Sequence, residues 1–176
     1  QRGPGAPVIL QQLTAELVAR VAEHKRHFGR ILALTSGLEP PLATTCPALA
    51  ANTTLTELCW REQDLETTLP APAAGRYDAI IAPQILQWVT DVPRFLLHCG
   101  RLLNPDGLLL ASTLGVESFA PWREAFLQAG FAATQTMPLT DIVSAGMALQ
   151  KLGFALPVVD RDHLTFTYSS WAAFWA

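Results

Sequence analysis

Residues 77–113 read YDAIIAPQILQWVTDVPRFLLHCGRLLNPDGLLLAST, and each part of that stretch has a physical assignment. Residues 77–82 are an apolar run entered through Asp78 and broken by Pro83, which has no N–H to continue a ladder; they predict a buried strand. Asp91 is placed to cap a helix with Pro93 in its first turn, and Phe95, Leu96, Cys99 and Leu102 or Leu103 then recur at helical spacing. Asn104, Pro105, Asp106 and Gly107 supply turn chemistry, and 108–113 is again a near-continuous apolar strand. A strand, a helix and a second strand, both strands apolar rather than alternating, predict a parallel pair covered on both faces.

Toward the N-terminus, Leu10, Leu13, Leu17 and Val21 recur at three- and four-residue intervals, which predicts a helix over 8–27 ended by Gly29. Residues 30–34 form a short apolar run, read as a buried strand, and Thr35, Ser36 and Gly37 follow it. The stretch 40–72 carries prolines at 40, 41, 47, 70 and 72. Within it 53–60 has the β-branched residues and alternation of a strand, and 47–51 suits a helical turn. Toward the C-terminus, helices are predicted over 121–129 and 141–152, stopped by Gly130 and Gly153. Two β-type runs, 154–160 and 163–168, are separated by Arg161 and Asp162, a hairpin signature. The fold class expected is α/β, a Rossmann-like, mainly parallel sheet with an antiparallel C-terminal edge hairpin.

At 176 residues, half of them hydrophobic and 15% charged, the chain suits one domain, 1–176, with a well-filled core. The Gly- and Pro-containing segment 1–7 is expected to be loose, and the start at Gln1 implies a trimmed terminus. A net charge of −3 with pI near 5.8 argues against a nonspecific grip on nucleic-acid phosphates. No apolar run approaches the ~20 residues that span a bilayer, and no basic segment leads an apolar signal region. Cys46, Cys59 and Cys99 are odd in number and widely spaced, which reads as reduced buried thiols of a cytoplasmic protein rather than a disulfide framework or a metal site. The histidines form no catalytic set: His24 and His27 fall near the end of the first helix, His98 on a helix face, and His163 beside Asp160 and Asp162 as a surface pair.

Taken together, Tyr77-Asp78, Leu86-Gln87-Trp88-Val89, Asp91-Val92-Pro93 and Asn104-Pro105-Asp106-Gly107 resemble the fourth strand, following helix and fifth strand of class I S-adenosylmethionine-dependent methyltransferases. Within that superfamily the chain looks most like the group of the biotin-pathway malonyl-carrier methyltransferase and the related mitochondrial complex I assembly factor. Residues 152–160, Leu-Gly-Phe-Ala-Leu-Pro-Val-Val-Asp, with 165–168 after them, are similar to bacterial relatives of that factor. The resemblance holds best from residue 77 onward, more weakly over the first part of the chain, and departs in the middle. Members of the group have a seven-stranded sheet with the last strand reversed and continue further than this chain, which implies either a shortened piece or a naturally abbreviated member.

The resemblance implies that S-adenosylmethionine lies across the carboxyl ends of the strands, with no metal. The loop after the first strand there carries an acid in the strand and a glycine-rich turn, because a Cβ would collide with the cofactor. The matching positions here are Ala33 for the acid, Thr35 and Glu39 for two glycines, and Gly37 for the one glycine kept. The shortened link to Tyr77 implies that a helix or the second strand, whose terminal carboxylate holds the cofactor ribose, is missing. Glu57, Glu62 and Asp64 are the substitutes at hand. Asp64 is carried as the candidate, against a plain surface carboxylate. Gln87 and Trp88 stand where relatives line the cofactor pocket, although Trp88 equally suits packing against the following helix.

Three functions follow. The first is a methyltransferase-like protein with weak or lost cofactor binding and a scaffold or regulatory role. The second is an active methyltransferase acting on a small acid, a carrier-bound acyl group or a protein side chain. The third is arginine hydroxylation, associated with relatives of the assembly factor. Trp171, Phe174 and Trp175 are read either as a core-packed helical turn or as a cover for a protein partner or second copy.

Overall fold

The computed structural model describes residues 6–24, 26–37, 41–51, 53–59, 76–131, 139, 141–165, 167 and 170. Its elements are α1 (Ala6–Glu23), β1 (Arg30–Thr35), α2 (Leu42–Thr45), α3 (Pro47–Ala50), β2 (Thr54–Cys59), β3 (Tyr77–Ala82), α4 (Val92–Leu102), β4 (Leu103–Ala111), α5 (Ala120–Gln128) and α6 (Ile142–Lys151). A single 3-10 turn, Leu86–Trp88, follows β3. The four strands form one parallel sheet in the order β2-β1-β3-β4. The expected strand-helix-strand unit is therefore β3-α4-β4, with Asp91 capping α4 by accepting from the Arg94 N–H.

The central strands are buried on both faces, and the two-residue period sorts their side chains. Leu32, Leu34, Ile80 and Ala82 pack with Phe95, Leu96, Cys99 and Leu102 of α4. Ile31, Ala33, Ala79 and Ile81 pack with Val18 and Val21 of α1, Phe28 and Leu42. Helix, sheet and helix thus make three layers, and continuous burial explains why β1 and β3 read as unbroken apolar runs. No helix among the described residues is long and apolar enough to cross a membrane.

Several expectations are corrected. The strand expected over 53–60 forms as β2, beside β1 in full register from Arg30↔Thr54 to Thr35↔Cys59, so of the helix or second strand implied to be missing the strand is present. The first helix ends at Glu23 rather than 27, because Phe28 turns back into the core, 4% exposed, with His24 packed edge-on against its ring. His24 therefore stands just beyond the helix end, and His27 lies outside the helix altogether. At the N-terminus, Ala6 and Pro7 of the segment expected to be loose are already helical, and residues 1–5 lie outside the described residues.

Residues 104–107, read as a turn, are an irregularity inside β4, where Tyr77 pairs with Leu103 and Ala79 already with Leu108. Asp106 is left-handed there, with φ 62°. A Cβ on Gly107 would lie 2.9 Å from the Asn104 carbonyl, so the chain closes on itself too tightly for a side chain.

The C-terminal hairpin does not form among the described residues: 157–165 carry no strand, and 166, 168 and 169 lie outside them. Phe154 is diverted instead. Its N–H closes the end of α6 on the Leu149 carbonyl, and its ring sits 3.4 Å from where a Cβ of Gly100 on α4 would stand. Leu156 then takes a left-handed backbone, φ 51°, and with Val158 stands in solvent, 92% and 88% exposed.

Candidate functional site

The chain leaves β1 to form β2 on one side, then returns to place β3 on the other. That reversal leaves a crevice at the carboxyl ends of β1 and β3, the position at which open parallel sheets take ligands. Its walls are Thr35-Ser36-Gly37 after β1 and residues 83–88 after β3.

On the β3 side three polar side chains are linked. Ser112, just past β4, extends the ladder by donating its N–H to the Ala82 carbonyl at 3.1 Å. Its Oγ accepts from the Gln84 N–H at 3.0 Å and from Gln84 Nε2 at 3.1 Å. Gln84 Oε1 in turn accepts from Gln87 Nε2 at 3.1 Å. Gln84 is 4% exposed and Gln87 half-buried, and Gln87 Oε1 is shut from solvent with no hydrogen-bond partner. Leaving such an acceptor unpaired costs about 1–3 kcal/mol, a cost that an incoming N–H donor removes. Trp88 beside it is 49% exposed. Of the residues expected here, Gln87 and Trp88 lie on the 3-10 turn after β3; Gln84 and Ser112 were not foreseen. Their sequence signal was slight, a non-glycine residue at the bend after Pro83 and a hydroxyl ending an apolar strand.

On the β1 side Gly37 has φ 71°, and a Cβ there would stand 2.8 Å from Cys59 Sγ at the end of β2. Close packing alone thus demands glycine at this position. Thr35 and Ser36 are buried, 7% and 4% exposed. Ala33 is fully buried, and its register partner on β2 is Glu57. The Glu57 carboxylate accepts from the Leu42 N–H at 2.7 Å and the Ala43 N–H at 3.4 Å, holding the first turn of α2. A carboxylate that the sequence offered for a ribose is thus committed to a helix start. Asp64, Glu62 and Glu39 lie outside the described residues, as do Trp171, Phe174 and Trp175.

Away from the crevice, Arg20 pairs with Asp160 and Asp162 at 3.2 and 2.8 Å, and His163 approaches Glu117 at 3.7 Å rather than those aspartates. All of these side chains are exposed. Among the described residues no group of three or more His, Cys, Asp or Glu side chains is arranged to hold a metal.

Fold and crevice define a three-layer α/β protein with its cleft at the switch point of a parallel sheet. The chain belongs to the methyltransferase-domain family, whose sequence profile matches residues 10–157. It is 37% identical over 106 residues to the malonyl-[acyl-carrier protein] O-methyltransferase of Xylella fastidiosa (strain M23), covering 60% of this chain and 35% of that protein. The Laribacter hongkongensis (strain HLHK9) enzyme of the same name is 36% identical over 97 residues, covering 54% and 32%. The mitochondrial arginine-hydroxylase NDUFAF5 of Dictyostelium discoideum is 32% identical over 98 residues, covering 53% and 22%. The matched stretch thus spans about a third or less of these curated relatives. Among solved structures, a CurJ carbon methyltransferase aligns with a TM-score of 0.48 and 18% identity, over 86% of this chain and 49% of its own.

Against the S-adenosylmethionine that such a family implies, the two walls differ. After β3, Gln87 Oε1 is a buried acceptor without a hydrogen-bond partner. After β1, the buried Thr35 and the apolar setting of Ala33 offer no acid in the strand and one glycine among the described residues of the loop.

Proposed function

We propose that this chain is an S-adenosylmethionine-binding, methyltransferase-like protein whose hold on the cofactor is weakened, with a scaffold or regulatory role resting on the retained fold. The supporting observation is the asymmetry of the crevice: a linked polar wall of Gln84, Gln87 and Ser112 after β3 faces a loop after β1 without its acid. Bound there, S-adenosylmethionine supplies an electrophilic methyl group on sulfonium. The chain's own contribution is to bind through the Gln87 amide, to shield one side with the Trp88 ring, and to align an acceptor in the crevice. Gly37 gives the loop after β1 its left-handed turn against Cys59, and Asp64 is the proposed ribose partner.

Calorimetric titration with S-adenosylmethionine and S-adenosylhomocysteine tests this reading. Dissociation constants of about 100 μM or weaker are expected, equivalent to roughly −5.5 kcal/mol or less. Low-micromolar binding overturns the weakened site. No binding at millimolar ligand overturns cofactor use altogether.

A second reading, an active methyltransferase acting on a carrier-bound acyl group, is favoured by the names of the bacterial relatives. Transfer of labelled methyl to a malonyl thioester on acyl-carrier protein decides for it. A further part of the proposal is that Trp171, Phe174 and Trp175 cover a partner or a second copy. Dissociation on Trp171→Ala with Trp175→Ala, at an unchanged melting temperature, supports that; a lowered melting temperature in a monomeric parent counts against it.

A further inference from the structure

Gln84 is a long side chain at a backbone position that disfavours it. Its φ is 51°, in the left-handed region where glycine is unstrained and other residues pay of order 1 kcal/mol. It is also buried, and its amide donates to Ser112 Oγ and accepts from Gln87 Nε2. Glycine would remove the strain at the bend, and packing gives no reason for an amide there. What the amide does is fix the next one: with Gln84 Oε1 accepting, Gln87 must present Nε2 to it and Oε1 away from it. The orphaned acceptor at the end of the relay is therefore a consequence of Gln84 and Ser112, not of Gln87 alone.

The relay also has a definite sense. Ser112 Oγ accepts from the Gln84 backbone N–H in any case. If both amides turned over, Ser112 would donate to Gln84, Gln84 to Gln87, and a donor rather than an acceptor would terminate the chain. The structure holds the first of these two senses, with Gln87 Oε1 as its free acceptor.

Resting on the methyltransferase-like reading above, we propose that Gln84 is a positioning residue. With Ser112 it sets the Gln87 amide so that Oε1 receives an N–H donor of an adenosyl amino-acid ligand. That donor is either the adenine amino group or the α-ammonium group.

The test uses the full chain and three probes followed by NMR titration. S-adenosylhomocysteine has both donors, 5′-methylthioadenosine lacks the α-ammonium, and S-inosylhomocysteine lacks the adenine amine. Gln84→Gly is expected to melt at or above the parent temperature, since backbone strain is relieved as the side-chain bonds are lost. It should bind S-adenosylhomocysteine five- to tenfold more weakly, the equivalent of about one hydrogen bond. Gln87→Ala, which leaves the strained backbone untouched, should show the same loss. In both variants the loss should vanish for whichever analogue lacks the donor that Gln87 meets, which identifies the donor. Equal affinity of Gln84→Gly and parent for S-adenosylhomocysteine overturns the proposal, and so does an equal loss across all three probes, which would mean general loosening of the wall. A parent that binds none of the probes overturns instead the cofactor reading on which the proposal rests.

Discussion

Asp78 ties three strands together at the end of the sheet opposite the crevice. Its Oδ2 accepts from the Gly29 and Arg30 N–H groups at 2.8 and 2.9 Å, and its Oδ1 from Asn104 Nδ2 at 2.8 Å. Burial pushes its carboxyl up, but the Asn104 amide, the two backbone N–H groups and the Arg26 charge outweigh it and hold the group below its ordinary value of 3.8. The folded state therefore binds this proton less readily than the unfolded chain, so the stabilisation is present above pH 3.8 and is lost as pH falls through the lower folded value. Asp78→Ala is expected to cost about 2–3 kcal/mol in urea unfolding at neutral pH, by removing charge-assisted bonds and orphaning their donors. Variant and parent should converge in acid; a constant gap down to pH 2 would refute the linkage. Cys99 makes the contrasting case. Fully buried among the α4 contacts, its thiol is pushed up to about 12 by desolvation, whereas Cys46 and Cys59 are half-buried. Native-state alkylation near pH 8, read by mass spectrometry, should modify Cys46 or Cys59 and leave Cys99 intact until unfolding.

Elements decide whether the crevice can be restored. The simplest repair of the β1 loop, Asp at Ala33, places a second carboxylate beside Glu57 on paired strands, in a cluster of Val18, Phe28 and Leu42. Like charges opposite one another on neighbouring strands repel, and the new group has no partner in that cluster. Ala33→Asp is therefore expected to destabilise by about 3–5 kcal/mol, the usual cost of a buried charge without a partner. Glu57→Gln alone should cost about 1 kcal/mol, because it weakens the hold on the first turn of α2. Combined, the two should cost clearly less than their sum, and a double-mutant cycle on unfolding free energies measures the difference. Additive costs would show that Glu57 and position 33 do not sense each other. The β1–β2–α2 unit thus has its own electrostatic solution, and a family loop cannot simply be transplanted into it.

At the scale of the whole molecule, Phe154 couples the C-terminal part of the chain to the sheet, through α4 and alongside Leu149 of α6 and Leu152 just past it. Phe154→Ala is expected to cost about 2 kcal/mol, less than for a fully buried phenylalanine. Hydrogen exchange should speed up in α6 while α4 keeps its protection; equal loss in both would make the two one cooperative unit. The sequence alone determined the central unit, because local signals agreed there: Pro83 stops β3, Asp91 caps α4, and the apolar run of β4 has one physical reading. The resemblance, read from the sequence, pointed to Gln87 and Trp88, which lie on the turn after β3, and to Gly37, which follows β1. What the sequence could not set were contacts whose partners lie far apart in the chain. Gln84 meets Ser112 across 28 residues, Glu57 reaches back to Leu42, and Phe154 lands on Gly100. The expected hairpin shows the same limit: the β-type run 154–160 is compatible with a strand, but a strand also needs an open edge beside it. There the packing of Phe154 and the left-handed Leu156 turned the chain elsewhere. Periodicity reports how a segment can bury its own side chains, whereas tertiary packing decides which partner is near enough to take the hydrogen bonds.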